Sequence, residues 1–325
     1  MLSESERRKL TLEYADLIKE EEACSTQYRS TIDDAQKVIL KRKLDDYQQK
    51  LTNLENRLYG EDSVNEANLN RRFCAIEQKL SKIDFKKQKK IIENILEDFL
   101  EYGNAIFFVN DSLYMAGELF SKEIKKILEE ETTDLKYYPI AFTIGGSLDE
   151  VGFLQALAGH LGIEAIHTKD DYDSISKKIN HSIENGSIIF IELNKIDLLD
   201  KKDSFLCWLL NDFCKFLNNN LIKTCHDKKI GFVRFIVLVS SDDYILDDLE
   251  ECNGLDIFCD GEEFSESQIF PITLSHWSEQ DIDTWLQKHS GLPTNQILSM
   301  SKSIHRSSRG GTPKLICEAL RSKLS

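Results

Sequence analysis

Residues 105–124, AIFFVNDSLYMAGELFSKEI, hold an apolar run, a polar break and then a segment with helical spacing. In nucleotide-binding α/β proteins this junction carries the phosphate loop: a first strand, a Gly-rich turn, and a helix whose N-terminal amides hold phosphate. Here the turn has a single glycine, Gly117. Laid on the pattern G-x-x-x-x-G-K-[ST] with Gly117 as the second glycine, Ser112 replaces the first, Glu118 the lysine and Leu119 the metal-holding hydroxyl. A carboxylate where a lysine would neutralise the β- and γ-phosphates repels a polyanion. Leu113, Tyr114 and Met115 add bulk where backbone amides would curl around the phosphates. The stretch predicts the outline of a phosphate-loop fold with ordinary ATP binding strongly disfavoured, and hence no cofactor, no metal and no catalytic residue.

The pattern around it is that of a parallel α/β sheet. Apolar runs Ala105–Val109, Ile140–Ile144, Ile188–Leu193 and Val233–Val239 alternate with helical segments and are nearly continuous in Ile, Val and Phe, as in strands covered on both faces. The run SIIFIELNKIDLLD ends in Glu192, followed by Asp197, placed like an acidic, metal-holding strand end. FVRFIVLVSSDD ends in Ser240 and Ser241, where related NTPases often put a polar sensor. Strand ends meet at the crevice of such sheets, so Asn110, Asp111, Glu192 and Ser240 could converge there; the alternative is a set of helix caps and solvated strand ends. The discriminating feature would be a basic residue near the strand ends, for which Arg234, Arg306 and Arg309 are the candidates. From about residue 278 the chain reads as a helical lid, and Trp277 and Trp285, eight apart, are placed to pack it on the sheet.

The first hundred residues carry a different signal. Leu40, Leu44, Tyr47, Leu51, Leu54 and Leu58 alternate steps of four and three, a narrow seam of the kind that packs on another helix. Ser30–Asp34 supplies capping residues and Gly60 a helix stop, so a long helical hairpin is expected at 4–59. A third helix is expected at about 64–82, and a fourth at 85–102 that stops at Gly103. A two-helix pair leaves Leu44, Leu51, Leu54 and Leu58 incompletely buried, so the hairpin is either an internal brace or an interaction module; Tyr47 lies on the same seam.

Composition narrows the function classes. The chain has 325 residues, 41% hydrophobic and 30% charged, enough for about two domains. Its net charge of −15 is uneven: residues 1–90 hold 19 Lys and Arg against 17 Asp and Glu, leaving 22 against 39 beyond. Such an acidic domain repels nucleic acid and anionic membrane. The one dense basic run, Lys86, Lys87, Lys89 and Lys90, reads as a solvated helix face. No stretch is apolar enough to span a membrane and MLSESERRKL lacks a leader's apolar region, so a cytoplasmic location is expected. Eight cysteines include no C-x-x-C pair, which argues against a zinc site or a disulfide framework. Cys225-His226-Asp227 is no triad, since adjacent residues cannot converge on one substrate atom.

The order AIFFVNDSLYMAGELFSKEI, YYPIAFTIGGSLDEVGFLQALAGHLGI, GSIIFIELNKIDLL, NDFCKFL, FVRFIVLVSSDD, ITLSHWSEQDIDTWL and GGTPKLICEAL over about residues 85–325 resembles the inactive STAND family. These are signal-transduction NTPase-like domains inferred to have lost their nucleotide motifs, found in bacterial conflict and signalling proteins beside small effector-associated adaptors. The N-terminal hairpin is similar in style to those adaptors. In active STAND proteins a Gly-x-Pro element near the lid contacts nucleotide; Gly311, Thr312 and Pro313 match it, and without a phosphate loop Gly311 and Pro313 read as a helix-breaking turn.

The resemblance implies a degenerate P-loop NTPase-type α/β domain at 85–275 and a helical lid at 276–325, preceded by a connecting helix at 61–84 and an all-α hairpin at 1–60. It implies a non-catalytic scaffold or adaptor in bacterial signalling or defence, with a protein effector, a homologous helical adaptor or a second copy as partner. The alternatives are a nucleotide-gated switch or NTPase with an atypical phosphate site and, least consistent with so large an α/β region, a structural coiled coil.

Overall fold

The four apolar runs overlap β1 Tyr102–Val109, β2 Leu135–Ala141, β3 Ser187–Asn194 and β4 Val233–Ser240, and with a further strand, β5 Ile269–Ile272, they form a parallel sheet in the order β2-β3-β4-β1-β5. The computed structural model describes residues 17, 40–43, 46–47, 50, 76, 79–98, 102–143, 146–163, 166–246, 249, 257–259 and 263–324. The chain divides into two units, Met1–Glu77 with Leu324–Ser325, and Gln78–Lys323.

All five strands belong to the second unit. Its helices are α1 Lys86–Asp98, α2 Gly117–Glu131, α3 Glu150–Leu161, α4 Asp173–Ser182, α5 Lys202–Trp208, α6 Lys215–Lys228, α7 Glu279–His289, α8 Thr294–Ser307 and α9 Pro313–Leu324. Leu209–Cys214 joins α5 to α6 as a π-helical segment. The central strands are buried on both faces, β4 along its whole length. Alternate residues divide the core: Ile106, Phe108, Ile189, Ile191, Phe235 and Val237 join the cluster formed with α3 to α6. On the opposite face Tyr137 of β2 lies under Lys125 of α2, whose ammonium is 4.2 Å from the ring centroid. There too Arg234 of β4 bonds Glu131 at the end of α2, at 3.4 Å.

The strand ends align. Val109 pairs with Ser240 and Ile272, Ser240 with Asn194, and Asn194 with Ala141, so one row of residues marks the C-terminal edge of the sheet. Both edge strands carry a proline, Pro139 in β2 and Pro271 in β5. A missing backbone donor is tolerated at a sheet edge and not in its middle.

Several expectations are corrected. Of the helix expected at 85–102 the described residues show Lys86–Asp98, Tyr102 already belongs to β1, and Gly103 lies inside β1, paired with Arg234 of β4, instead of stopping a helix. The second strand lies earlier than Ile140–Ile144: it spans Leu135–Ala141, and Phe142 and Thr143 have left it. β5 was not expected as an element; α8 falls in the region read as helical from about 278, and HRSSRGGTPK is helical to Ser307 and again from Pro313.

In the first unit Leu17, 40–43, Asp46, Tyr47, Lys50 and Ile76 are helical. Lys50 meets Asp46 one turn earlier at 2.6 Å, and its ammonium stands 5.9 Å from the Tyr47 ring. The seam positions Leu44, Leu51, Leu54 and Leu58 lie outside the described residues. Of the helix expected at 64–82, positions 76, 79 and 80 are helical, and 81–84 form a turn.

Candidate functional site

In a phosphate loop the backbone amides after the first strand are left free for the ligand. Here five of the seven between Asp111 and Gly117 already have acceptors. Asp111 N–H donates to the carbonyl of Asp243 at 3.4 Å, Ser112 to Ser241 at 2.8 Å and Leu113 to Asp242 at 3.4 Å. Met115 N–H turns back to Asp111 O at 3.0 Å, and Gly117 N–H to Ser112 O at 2.8 Å. The loop after β1 is thus laid along the segment after β4 and closed on itself. Backbone polar groups removed from water need partners, and this segment supplies them without an anion.

Side-chain placement refines the reading from sequence. Leu113 and Tyr114 are 43% and 50% exposed, so they point to solvent and do not obstruct the loop as expected; Met115 is buried. Glu118 is also outside the loop, 87% exposed and 3.8 Å from Lys122 one turn along α2. Leu119, at the position of the metal-holding hydroxyl, is buried. Gly117 is required by contact: a Cβ there would lie 2.1 Å from Ser112 Oγ. Ser112 itself is buried, so the degenerate first position of the motif packs onto the second. Helix α2 starts from Ala116, whose φ is 56°, and no side chain caps it.

The acidic strand end forms a separate network. The Tyr137 hydroxyl and Asn194 Nδ2 both donate to Glu192, the latter at 3.1 Å, and the Ser240 hydroxyl donates to Asn194 Oδ1 at 2.6 Å. Glu192 and Ser240 are buried, so this chain of bonds crosses β2, β3 and β4 with its carboxylate already bonded on both oxygens. Burial and the adjacent Glu192 push the Tyr137 hydroxyl well above its usual pKa. Asn110 is directed elsewhere, its Oδ1 accepting from Ile245 N–H at 2.9 Å. The four positions expected to converge therefore divide, Glu192 and Ser240 in one network and Asn110 and Asp111 beside the 241–245 segment.

Asp197 belongs to the second group: its Oδ1 accepts from Asp242 N–H at 2.7 Å, with the Ser241 hydroxyl 3.4 Å away. Ser241 is wholly buried, and its hydroxyl donates to Asp243 O at 2.6 Å. Asp111, Asp197, Asp242 and Asp243 are the acids of this corner. Burial and the Asp243 carboxylate raise the pKa of Asp111, with His276 opposing them. Burial, Asp197 and Asp243 raise that of Asp242, against Lys195 and Lys314. Lys195 Nζ lies 4.0 Å from Asp242 Oδ2.

The cation nearest the loop was missed in the sequence. Lys314 N–H donates to Tyr114 O at 3.1 Å and its ammonium sits 5.3 Å from the Tyr114 ring. It arrives from the first turn of α9, some 200 positions along the chain, and no local pattern marks it. Of the candidates named in advance, Arg234 pairs with Gly103 near the opposite, N-terminal edge of the sheet. Arg306 and Arg309 are exposed on the lid. Among the described residues no group of three or more His, Cys, Asp and Glu side chains is arranged to hold a metal ion, and no helix is long and apolar enough to cross a membrane.

Folding raises the Asp111 pKa above its ordinary value of 3.8, so its ionised form opposes the native state and stability falls as pH rises through that interval. Asp111 has a φ of 55°, a conformation asparagine also accepts. Asp111→Asn is expected to stabilise the protein at pH 7, by no more than about 1 kcal/mol once solvent screening is counted. The gain should vanish below about pH 4, where aspartate is protonated in both states. Thermal melts of the two proteins across pH check this, and an unchanged or lower Tm at pH 7 contradicts it.

The inactive STAND family model matches residues 80–237, and the model for effector-associated domain 9 matches residues 2–60. No curated protein matches the chain. Among solved structures, Cdc6p from Pyrobaculum aerophilum is 13% identical, with 73% of this chain and 62% of that chain covered and a TM-score of 0.45. The Aeropyrum pernix Orc1 protein, solved in complex with DNA, is 11% identical, with 68% and 53% covered and a TM-score of 0.38. Drosophila ORC bound to DNA is 10% identical, with 73% and 54% covered and a TM-score of 0.34. The chain thus spans 62% or less of the length of these proteins.

Proposed function

We propose that this chain, in which an inactive STAND match at 80–237 follows an effector-associated domain 9 match at 2–60, works as a non-catalytic adaptor in a bacterial signalling or defence pathway. The observation that carries the reading is the closed loop: the amides of Asp111, Ser112 and Leu113 are bonded to the carbonyls of residues 241–243. The acids around it, Asp111, Asp197, Asp242 and Asp243, outnumber Lys195 and Lys314, so a triphosphate would enter against both geometry and charge. Ser112, Gly117, Glu118 and Leu119 are then the vestige of a phosphate loop. Glu192 and Asp197, with Ser240 and Ser241, are the vestige of the acidic and sensor strand ends.

Without nucleotide energy the protein transmits a signal by binding one partner better than another, or by binding differently in two states. The N-terminal module supplies that contact, through the seam of Leu44, Tyr47, Leu51, Leu54 and Leu58, to an effector carrying a homologous module. The adaptor acts in the cytoplasm.

Calorimetric titration of the full chain with MgATP and MgGTP tests the closed loop. No heat of binding and no thermal stabilisation are expected; a dissociation constant in the low micromolar range would overturn the reading. Glu118→Lys combined with Leu119→Thr is expected not to restore binding, since the new lysine would stand on the exposed side of α2 and the amides would remain occupied. Recovery of binding by that variant would show that the 241–243 segment yields to phosphate.

A further inference from the structure

The loop that no longer faces a phosphate faces solvent with apolar atoms. Leu113 and Tyr114 are among the few large hydrophobic side chains exposed in the described residues, and Asp242 and Asp243 stand beside them through the bonded 111–113 and 241–243 segments. Exposed aromatic and aliphatic side chains rimmed by charge are the composition of a protein-contact surface.

A second surface has the opposite charge. Residues 294–325 hold six Lys and Arg against one Glu, while 91–293 hold 16 against 38. On α8 the exposed Leu298, Lys302 and Arg306 follow one another at steps of four and so lie along one face. Shallow grooves flank that row, one lined by Ser299, Ser303 and Ser307, the other by Glu279, His305 and Gly310. One surface thus offers apolar groups beside Asp111, Asp197, Asp242 and Asp243, which outnumber the neighbouring Lys195 and Lys314, and the other an apolar group beside cations.

We propose that the α8 face of one copy, Leu298 with Lys302 and Arg306, docks on the remodelled loop of a second copy, Leu113 and Tyr114 with Asp242 and Asp243. The contact is heterologous, since two different patches meet. The net charge of −15 opposes indiscriminate clustering of copies, and the orientation that brings the basic lid to the acidic strand ends is the one it leaves favourable. Nucleic acid is the competing occupant of a basic face. A phosphate backbone leaves Leu298 without an apolar partner and meets repulsion from the acidic remainder of the domain.

A charge exchange in the full chain tests this contact separately from any association through the N-terminal module. Lys302→Glu with Arg306→Glu reverses the lid face; Asp242→Lys with Asp243→Lys reverses the loop face. Sedimentation velocity is expected to show wild-type self-association weakened at least about tenfold in each variant alone, and recovered when the two variants are mixed. Tyr114→Ala, which changes no charge, should weaken association as well. Circular dichroism and thermal melts confirm that each variant is folded. Association unchanged in the single variants, or a mixture no stronger than its components, overturns the proposal. So does binding of a labelled short DNA duplex that Lys302→Glu with Arg306→Glu abolishes while self-association stays at the wild-type level.

Discussion

Replacing Trp285 by alanine is expected to remove about 3–5 kcal/mol from the stability of the second unit, the range for truncating a buried tryptophan. That is at least about a fifth of the ~5–15 kcal/mol that holds a typical domain together. Trp285 is 2% exposed, its indole N–H donates to Lys79 O at 2.7 Å, and its ring meets His289 edge-on at 5.4 Å between centroids. Trp277, 1% exposed, repeats the arrangement: its indole N–H donates to Asp84 O at 2.8 Å, and its ring stands edge-on to Phe85 at 5.6 Å. Phe85 in turn meets Phe120 of α2 at 5.3 Å. The two tryptophans thus tie the lid to the 79–85 segment through their indole N–H groups. Trp285→Phe divides the effect, since it keeps most of the ring and loses only the donor; Lys79 O still accepts the Lys82 N–H at 3.0 Å, so the cost should be that of one hydrogen bond, about 0.5–1.5 kcal/mol. Chemical denaturation measures both variants. A loss below ~1 kcal/mol for Trp285→Ala would mean that the lid is not held through this residue, and equal losses for the two variants would place the whole effect in the hydrogen bond.

What the sequence could say about these contacts depended on how local their cause was. The central strands were legible because burial on both faces forces near-continuous Ile, Val and Phe, as in Ile188–Leu193 and Val233–Val239. The edge strands were not. β2 begins with LKYYP, of which only Tyr138 is buried, and β5 has four residues with a proline among them, so neither carries the apolar signature of a central strand. The loss of the phosphate motif was legible at Ser112, Gly117, Glu118 and Leu119. The way the loop is closed was not, because the acceptors for its amides lie about 130 residues away and depend on β4 being inserted between β3 and β1. For the same reason the spacing put Glu118 in the loop when it stands on the outer side of α2, and Lys314 was invisible until the lid brought it back to Tyr114. The helical spacing of Trp277 and Trp285 correctly suggested burial, but spacing on one element does not name the surface that buries it.

Gly311 separates a structural from a nucleotide-contacting account of the lid turn. Its φ is 104°, where side chains are rarely accommodated, and a Cβ would lie 2.2 Å from Trp277 O and 3.2 Å from the carbon of that carbonyl. The obstacle is backbone, and Gly311 O accepts the Trp277 N–H at 2.9 Å, so the clash cannot be relieved without breaking the bond that joins the two segments. Gly310, with a φ of 78°, is different: a Cβ there meets nothing within 4 Å. Gly311→Ala should therefore cost about 3 kcal/mol or more, conformational strain and steric displacement combined. Gly310→Ala should cost about 1 kcal/mol, from the left-handed conformation alone, and Gly310→Asn less again. Pro313 continues the logic, since α9 begins there with a residue whose missing N–H a first helical turn does not need. The next amide, Lys314, then reaches the carbonyl of Tyr114. The backbone that Gly311 packs against is by itself a sufficient reason for glycine at this position. Urea denaturation of the three variants decides the matter: if Gly311→Ala is no more destabilised than Gly310→Ala, the close approach to Trp277 is not what demands glycine, and the demand must come from something that the turn binds.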